Sequence, residues 1–204
     1  MTTFSPSGAV PISLDIETSG LDPHKHSILS VGIVNFYSGE YSSWDIRHSQ
    51  DVLISPEAFR VNNIDTRILD DHVRVPLLEA DIQLSEIIRE AKLATGDIVL
   101  PMGLNVGSFD LKFLEVHMPL SAKAFGYRAI DLNTLIVAFA HRRKRLFVEM
   151  KKTLQESSNE HWKAAYPSLM GQFYKPHEAL SDAFSNCYLY SVLMNEKPKW
   201  MGDY

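Results

Sequence analysis

The chain has 204 residues, of which 45% are hydrophobic and 22% are charged, and its formal net charge is −5. This length and apolar content suffice for one domain with a sizeable core, and no linker-like segment divides the chain. The acidic balance argues against a protein that coats duplex DNA through bulk positive charge, but it does not exclude a cation-loaded site for a nucleic-acid end. The single cysteine, Cys187, excludes an internal disulfide and lies in an apolar run, where a small buried thiol is expected.

The N-terminal segment lacks the features of an export signal. Residues 1–12 have neither a basic start nor an apolar run of signal length, and no segment approaches the length needed to span a membrane. We therefore expect a soluble, cytoplasmic protein. Residues 1–9 are predicted to be a loose tail of a single domain that comprises residues 1–204.

The first predicted strand carries two carboxylates on one face. Apolar and polar residues alternate from Ile12 to Glu17 with the two-residue period of a strand, so Asp15 and Glu17 point the same way. They lie within about 7 Å of each other, close enough to share a divalent cation and mutually repulsive without one. Gly20 is expected to end the strand. Acidic pairs also occur on the solvated face of ordinary strands, so this pair alone is an ambiguous signal.

The next elements are a hairpin and two helices. Residues 28–37 and 41–46 are β-branched and aromatic runs on either side of a Ser-Gly turn, which predicts two paired strands. A short helix begins near Pro56, and Asn62-Asn63 suits a tight bend. A longer helix is predicted for residues 77–94 and ends at Gly96. Its expected buried stripe is Ile82, Ile87, Ile88 and Ala91.

Two further strand–helix pairs follow. Residues 98–102 read as a short strand leading to a helix that opens near Ser108, which puts Asp110 in a first helical turn. A lone aspartate there is explained by the helix dipole alone. Residues 129–131 resemble another short strand, and residues 132–140 continue as an apolar helix.

A basic run, His141-Arg142-Arg143-Lys144-Arg145, closes this helix. Cations in a last helical turn are favoured by the helix dipole, which explains the run without any function. A role in steering phosphates explains it as well. The sequence does not decide between these two interpretations.

The C-terminal third combines an ambiguous segment with a clear helix. Residues 146–174 mix a helix-like stretch from Val148 with polar and aromatic residues, and we expect these aromatics in the core rather than on a base-stacking surface. Pro176 suits the first turn of a helix that is predicted to end at Asn195. His177 and Asp182 are five positions apart, about 140° around a helix, so both reach one site only if His177 lies at or before the first turn.

The order of strands and helices predicts an α/β domain in which a mixed sheet carries helices on its faces. Sites in such sheets form at the carboxyl ends of strands. Four carboxylates are expected to converge there, and they would repel one another unless hard divalent cations lay between them. They are Asp15, Glu17, Asp110 and Asp182.

These motifs resemble those of the DEDDh exonucleases, a family that includes the proofreading subunit of DNA polymerase III, RNase T and oligoribonuclease. The residues that carry the resemblance are Asp15-Ile16-Glu17, Asn105 with Phe109-Asp110, and His177 with Asp182, supported by Thr18-Ser19-Gly20-Leu21, Pro56-Glu57-Ala58, Val61-Asn62-Asn63-Ile64 and Ile130-Asp131. They occur in the family's order and span nearly the whole chain. Two positions depart from the pattern, since Leu104 stands where histidine is frequent and Asn63 where glycine is frequent.

The resemblance implies a ribonuclease H-like fold, with helices on both faces of a mixed sheet, and a metal-dependent 3′–5′ exonuclease. It implies that Asp15, Glu17, Asp110 and Asp182 hold two Mg²⁺ or Mn²⁺ ions and that His177 is the general base. It further implies that the 3′-terminal nucleotide is seated by Thr18, Leu21 and Asn105.

The implied substrates are single-stranded 3′ ends of DNA or RNA, released as nucleoside 5′-monophosphates. An RNA-specific trimming or oligoribonuclease activity is the nearest alternative, because nothing in the sequence decides the sugar. A catalytically degenerate domain that only binds nucleic acid or a protein partner is the alternative from another class, and the intact acidic set and His177 argue against it. The sequence leaves the oligomeric state, including a homodimer, and the pathway open.

Overall fold

The computed structural model describes residues 8–48, 53–56, 58, 60, 71–170, 174–175 and 177–202. Its centre is a five-stranded sheet in the order β3-β2-β1-β4-β5. The middle strand, β1, runs antiparallel to β2 and parallel to β4, which confirms the predicted mixed sheet. The strands are β1 Ala9–Thr18, β2 Ile28–Asn35, β3 Tyr41–Asp45, β4 Ile98–Gly103 and β5 Ile130–Asp131.

Helices cover both faces of this sheet, as predicted. One hydrophobic core joins β1 to α1, α2 and α3, and a second core on the other face joins the sheet to α4, α5 and α6. Within the described part of the chain, no helix is both long and apolar enough to cross a membrane. The helices are α1 Leu77–Thr95, α2 Asp110–His117, α3 Pro119–Phe125, α4 Leu132–Arg143, α5 Phe147–Met170 and α6 Ala179–Met194, followed by a 3-10 turn at Lys199–Met201.

The buried stripe of α1 differs from the predicted one. Ile88 is buried, and Ile87 and Ala91 pack half-buried against the core, as expected, but Ile82 is 40% exposed. The fully buried positions of the stripe also include Ala80, Asp81 and Leu84. Asp81 takes an inward position because its carboxylate accepts the backbone N–H groups that open α3. Apolar periodicity could not reveal this position, since the satisfied carboxylate breaks the hydrophobic pattern.

The polar face of β1 packs against α6 at close range. Ser13 is fully buried, and its Oγ donates a hydrogen bond of 2.7 Å to the carbonyl oxygen of Ala183. Gly32 on β2 lies opposite Asp15 in the ladder. A Cβ built at Gly32 would lie 2.5 Å from the carbonyl oxygen of Ala179, so only glycine allows α6 to begin here. The start of α6 therefore lies over Gly32, next to its ladder partner Asp15.

The long helix α5 accounts for the segment that the sequence left ambiguous. Its buried residues recur every four positions, at Leu154, Ser158, Trp162 and Tyr166. Ser158 fits this stripe because its hydroxyl lies 2.7 Å from the hydroxyl of Ser185 on α6. The prediction that the aromatics belong to the core is confirmed for Trp162, Tyr166 and Tyr174, whereas Phe173 lies outside the described residues.

Several predicted boundaries need correction. β1 already includes Ala9, which was assigned to the tail 1–9, while residues 1–7 lie outside the described residues. α2 begins at Asp110 rather than near Ser108. The last helix begins at Ala179, and Asn195 is its left-handed C-cap with φ 52°. Left-handed caps are common at helix ends, so the helix stops one residue before the predicted end.

The remaining predictions concern short segments. Pro56 and Ala58 are helical as expected, but most of that helix and the Asn62-Asn63 bend lie outside the described residues. Cys187 is fully buried, which confirms the expected buried thiol, and this burial raises the pKa of the thiol.

Candidate metal centre

Three of the four predicted carboxylates meet in space. Asp15 and Glu17 project from β1, and Asp182 projects from the first turn of α6. Each offers one oxygen, and these three oxygens lie within 4.8 Å of one another. The alternation of β1 aligns the first two, and the close packing of α6 over Gly32 and Ser13 brings in the third.

Asp110 lies beside this group but is not part of it. It is the first residue of α2, it is 4% exposed, and its Oδ1 accepts the backbone N–H of Ile16 at 3.2 Å. Ile16 separates Asp15 and Glu17 along β1, so this bond fixes Asp110 next to both of them. The predicted first-turn position is confirmed.

The carboxylates are in an environment that disfavours their charge. Burial, followed by repulsion from Asp110, Asp182 and Glu17, raises the pKa of Asp15 well above its usual range. Burial and repulsion from Asp182 and Asp110 raise the pKa of Glu17 to about 8. Burial is also the main cause that raises the pKa of Asp110 to about 7 and that of Asp182 to about 6. Clustered carboxylate oxygens of this kind are the ligands that Mg²⁺ and Mn²⁺ prefer, so the donor set fits a hard divalent cation.

His177 lies before the first turn of α6, as its five-residue spacing from Asp182 requires if both are to reach one site. It lies two residues before α6 in the left-handed region, with φ 63°. Its backbone N–H donates to Oδ2 of Asp182 at 3.2 Å, and its charge lowers the pKa of Asp182 against the effect of burial. This turn places the imidazole at the mouth of the site instead of on the helix surface.

A polar cleft of about 280 Å³ opens beside the carboxylates. Its far wall comes from α5 and α6 and was not predicted from the sequence. Tyr174 closes this wall, and its hydroxyl donates to Oδ1 of Asn159 at 3.0 Å. The four-residue spacing of Gln155 and Asn159 was the available signal, but it required knowing that this segment is helical. The lining residues are Asp15, Leu104, Gln155, Asn159, Tyr174, His177, Asp182, Ser185 and Asn186.

The three residues predicted to seat a nucleotide lie elsewhere around the site. Thr18 is buried, and its Oγ1 donates to the carbonyl oxygen of Gly20 at 2.8 Å. Leu21 is 77% exposed in the loop after β1. Asn105 follows β4 with φ 61°, and its Oδ1 accepts a bond of 2.7 Å from Asn133. None of the three is among the described residues that line the cleft.

Comparison with known sequences defines the class of protein. The model of the RNase T exonuclease family, described as "Exonuclease", matches residues 12–190. The chain belongs to this exonuclease family. The predicted likeness to the DEDDh, or DnaQ-like, 3′–5′ exonucleases is confirmed, and so is the prediction that the protein is an exonuclease enzyme.

A curated relative and solved structures agree with this assignment. The 3′-5′ DNA exonuclease Cap18 of Escherichia coli is 28% identical over 194 residues, which are 92% of this chain and 94% of Cap18. The zinc-bound complex of E. coli exonuclease I with single-stranded DNA superposes with a TM-score of 0.64 at 14% identity over 92% of this chain. Its complex with a dT13 oligonucleotide gives 0.63 at 14% identity over 94%. In both, the chain spans only 42% of exonuclease I, and at this identity the likeness establishes the ribonuclease H-like α/β fold alone.

Proposed function

We propose that this protein removes nucleotides from the 3′ end of single-stranded DNA and releases nucleoside 5′-monophosphates. The observation that carries the proposal is the meeting of three carboxylate oxygens within 4.8 Å at the carboxyl end of the central strand. The description of Cap18 as a DNA exonuclease and the DNA oligonucleotides bound to exonuclease I support DNA as the substrate. The experiment below distinguishes this activity from the RNA-specific alternative.

Asp15, Glu17, Asp110 and Asp182 would together hold two divalent cations, Mg²⁺ or Mn²⁺. Bound ions of this kind supply an activated water and charge stabilisation of the leaving oxygen in phosphodiester hydrolysis. Asp110, fixed by the Ile16 N–H, adds negative charge from the side of α2. The raised pKa values of these groups support the assignment, because like charges gathered in a buried site repel one another unless protons or cations neutralise them.

His177 is our candidate for the general base. Its exposed ring stands at the mouth of the cleft beside Asp15 and Asp182, and its backbone is tied to Asp182. Histidine can accept a proton at neutral pH, so the imidazole would take the proton of the attacking water. Its place ahead of α6 gives it access to solvent, through which this proton can leave.

The terminal nucleotide would bind beyond the Glu17 end of the carboxylate group. Thr18 and Leu21 follow Glu17 along the chain, and Asn105 lies two residues after the neighbouring strand β4. Leu21 presents an exposed apolar side chain that can pack against a sugar or base, and Asn105 can contact the 3′ end. These three residues would make hydrolysis depend on a free, unpaired 3′ terminus.

The test compares DNA and RNA oligonucleotides of one sequence, each labelled at the 5′ or the 3′ end, in the presence of Mg²⁺ or Mn²⁺. The proposal predicts a ladder of shortening 5′-labelled DNA, immediate loss of a 3′ label as mononucleotide, and protection by a 3′-phosphate. Cleavage of circular single-stranded DNA would show an endonuclease and contradict the proposal. Faster degradation of RNA than of DNA would replace it with the RNA-trimming activity.

A further inference from the structure

Positive charge is concentrated in residues 141–152, which we call the basic segment. It contains six of the chain's 20 Lys and Arg residues but one of its 25 Asp and Glu residues, Glu149. The basic segment therefore has a formal charge of +5, and the rest of the chain has −10. A polyanion that approaches this acidic protein is attracted to the basic segment and repelled by most of the remaining surface.

Helix capping explains only part of this charge. Arg142 and Arg143 lie in the last turn of α4, where the helix dipole favours cations. Arg145 lies beyond the end of α4, and Lys151 and Lys152 lie near the start of α5, where the dipole gives cations no stabilisation. The capping interpretation left open by the sequence is therefore insufficient for the basic segment as a whole.

Most cations of the basic segment are available to a ligand, and two of them are positioned by an aromatic ring. The guanidinium groups of Arg142 and Arg143 lie 5.9 Å and 5.1 Å from the centre of the Phe139 ring, which positions them while leaving their N–H groups exposed. Residues 142–145 are all exposed, and none of them forms an ion pair with an acid that the structure describes. Lys152 is 3.9 Å from Glu156.

One face of α5 connects the basic segment to the metal centre. Lys151, Gln155 and Asn159 are spaced four residues apart, so they form a line along one side of the helix with a step of about 6 Å. Gln155 and Asn159 line the cleft that also contains Asp15 and Asp182. Lys151, in the C-terminal part of the basic segment, thus lies one helical turn from the cleft residue Gln155.

We propose that this line and the basic segment bind the 5′ portion of the single strand whose 3′ end is hydrolysed. Gln155 and Asn159 contact the nucleotide on the 5′ side of the scissile phosphodiester, since their amides can donate to and accept from a base edge. Lys151 binds the next phosphate, and Arg142, Arg143 and Arg145 bind phosphates further along the strand. This inference rests on the proposed function, and it assigns a binding surface to the part of the strand on the 5′ side of the hydrolysed end.

The size and composition of the cleft favour a nucleotide at its inner end. About 280 Å³ is enough for one base and its sugar, and the wall formed by α5 and Tyr174 contains neutral amides and a phenol but no cation. Neutral amides suit an uncharged base edge, whereas the half-buried Lys151 one turn away and the exposed cations beyond it suit phosphates. Along α5, amides that suit a base are therefore followed by cations that suit phosphates. This is the order expected if the strand runs from the cleft towards the basic segment.

The test measures kcat/KM for a long single-stranded oligonucleotide and for a dinucleotide of the same base. The variant Arg142→Glu/Arg143→Glu should reduce kcat/KM for the long strand by about tenfold or more at low salt, and the loss should shrink as salt is raised. The dinucleotide is too short to reach these residues, so its kcat/KM should change less than about twofold. The matched control Lys123→Glu/Lys199→Glu makes the same charge change at exposed sites on α3 and the 3-10 turn and should leave both substrates unaffected.

Three results would overturn the inference: an equal loss on both substrates, no loss on the long strand, or the same loss in the control variant. Arg142→Lys/Arg143→Lys keeps the charge and should retain most of the activity on the long strand, which separates the inference from a folding defect. If the wild type hydrolysed neither substrate, the proposed function would fail, and fluorescence anisotropy with a labelled long strand would still decide the inference. Binding by the wild type about tenfold tighter than by the Glu variant supports it, and equal binding contradicts it.

Discussion

Asp15 and Gly32 face each other across the β1–β2 ladder, and the backbone of Ala179 fills the space where a side chain on residue 32 would stand. This relationship sets how close α6 comes to the sheet. Because α6 carries Asp182 three residues after Ala179, the missing side chain at Gly32 decides whether the third carboxylate reaches the other two. The geometry of the candidate metal centre thus depends on Gly32, which offers no ligand atom itself.

Replacing this glycine should disrupt the site and the fold together. Gly32→Ala forces α6 away from β2, and we expect a loss of roughly 1–3 kcal/mol in the free energy of unfolding, as for other overpacked cores. Urea denaturation measures this loss. Gly107→Ala is the matched control, because its Cβ would make an ordinary contact of 3.8 Å with Ala129. A Gly32→Ala protein as stable as the control would contradict the close packing of α6.

The raised pKa values predict how stability depends on pH without metal. Between about pH 4 and pH 8 the native state binds protons that the unfolded state has released, because the pKa of Glu17 is raised to about 8. Stability should therefore fall as pH rises through this range. Glu17→Gln removes one repelling charge and should raise the unfolding free energy in EDTA by on the order of 2 kcal/mol at pH 8, with little change at pH 4. Thermal or urea unfolding at both pH values measures this, and a destabilised variant at pH 8 would be the contrary result.

Divalent cations should reverse this instability. Mg²⁺ or Mn²⁺ at millimolar concentration binds only the folded state, so the Tm at pH 8 should rise by several degrees and return to its starting value with EDTA. Asp15→Asn and Asp182→Asn should each abolish most of the shift. Glu86→Gln, which alters an exposed acid on α1, is the control and should keep it. A shift of equal size in all four proteins would mean that the ions bind elsewhere.

His177 can be tested without disturbing the turn that holds it. His177→Ala puts an unfavourable residue at φ 63°, whereas Asn tolerates this conformation and keeps the backbone bond to Asp182. His177→Asn should therefore leave the metal-induced Tm shift intact and still slow hydrolysis by about 10²- to 10⁴-fold, the usual contribution of a general base. The acidic limb of the pH–rate profile should flatten. Near-normal turnover of this variant would remove His177 from the chemistry.

The sequence predicted those features that depend only on the periodicity of a single strand or helix. The alternation of β1 placed Asp15 and Glu17 on one face, and the apolar pattern after Ser108 placed Asp110 in a first helical turn. The spacing of His177 and Asp182 correctly required the histidine to precede the helix. Each of these depends on backbone periodicity alone, which the sequence contains directly.

The features that the sequence did not reveal depend on packing between distant elements. Gly32 looked like an ordinary strand residue, since nothing near it in the chain indicates that α6 lies on top. Ser13 fits the polar positions of β1, and nothing in that alternation shows that its hydroxyl is buried against α6. The buried hydroxyl of Ser158 interrupts the apolar pattern of α5, although Ser185 on α6 satisfies it. As a result α5 remained ambiguous, and with it the cleft wall formed by Gln155 and Asn159. A buried polar residue that is paired across the core interrupts the apolar periodicity by which its helix would be recognised in the sequence.

The most direct test of the account follows a 5′-labelled single-stranded DNA with a free 3′ hydroxyl over time, with Mg²⁺ or EDTA, for the wild type and Asp15→Asn. We expect a ladder that shortens stepwise from the 3′ end only with wild-type protein and Mg²⁺, and a loss of at least about 10³-fold in Asp15→Asn, because the four carboxylates act as one unit. Unchanged shortening in EDTA, or an Asp15→Asn protein as active as the wild type, would contradict a metal-dependent exonuclease built on these carboxylates.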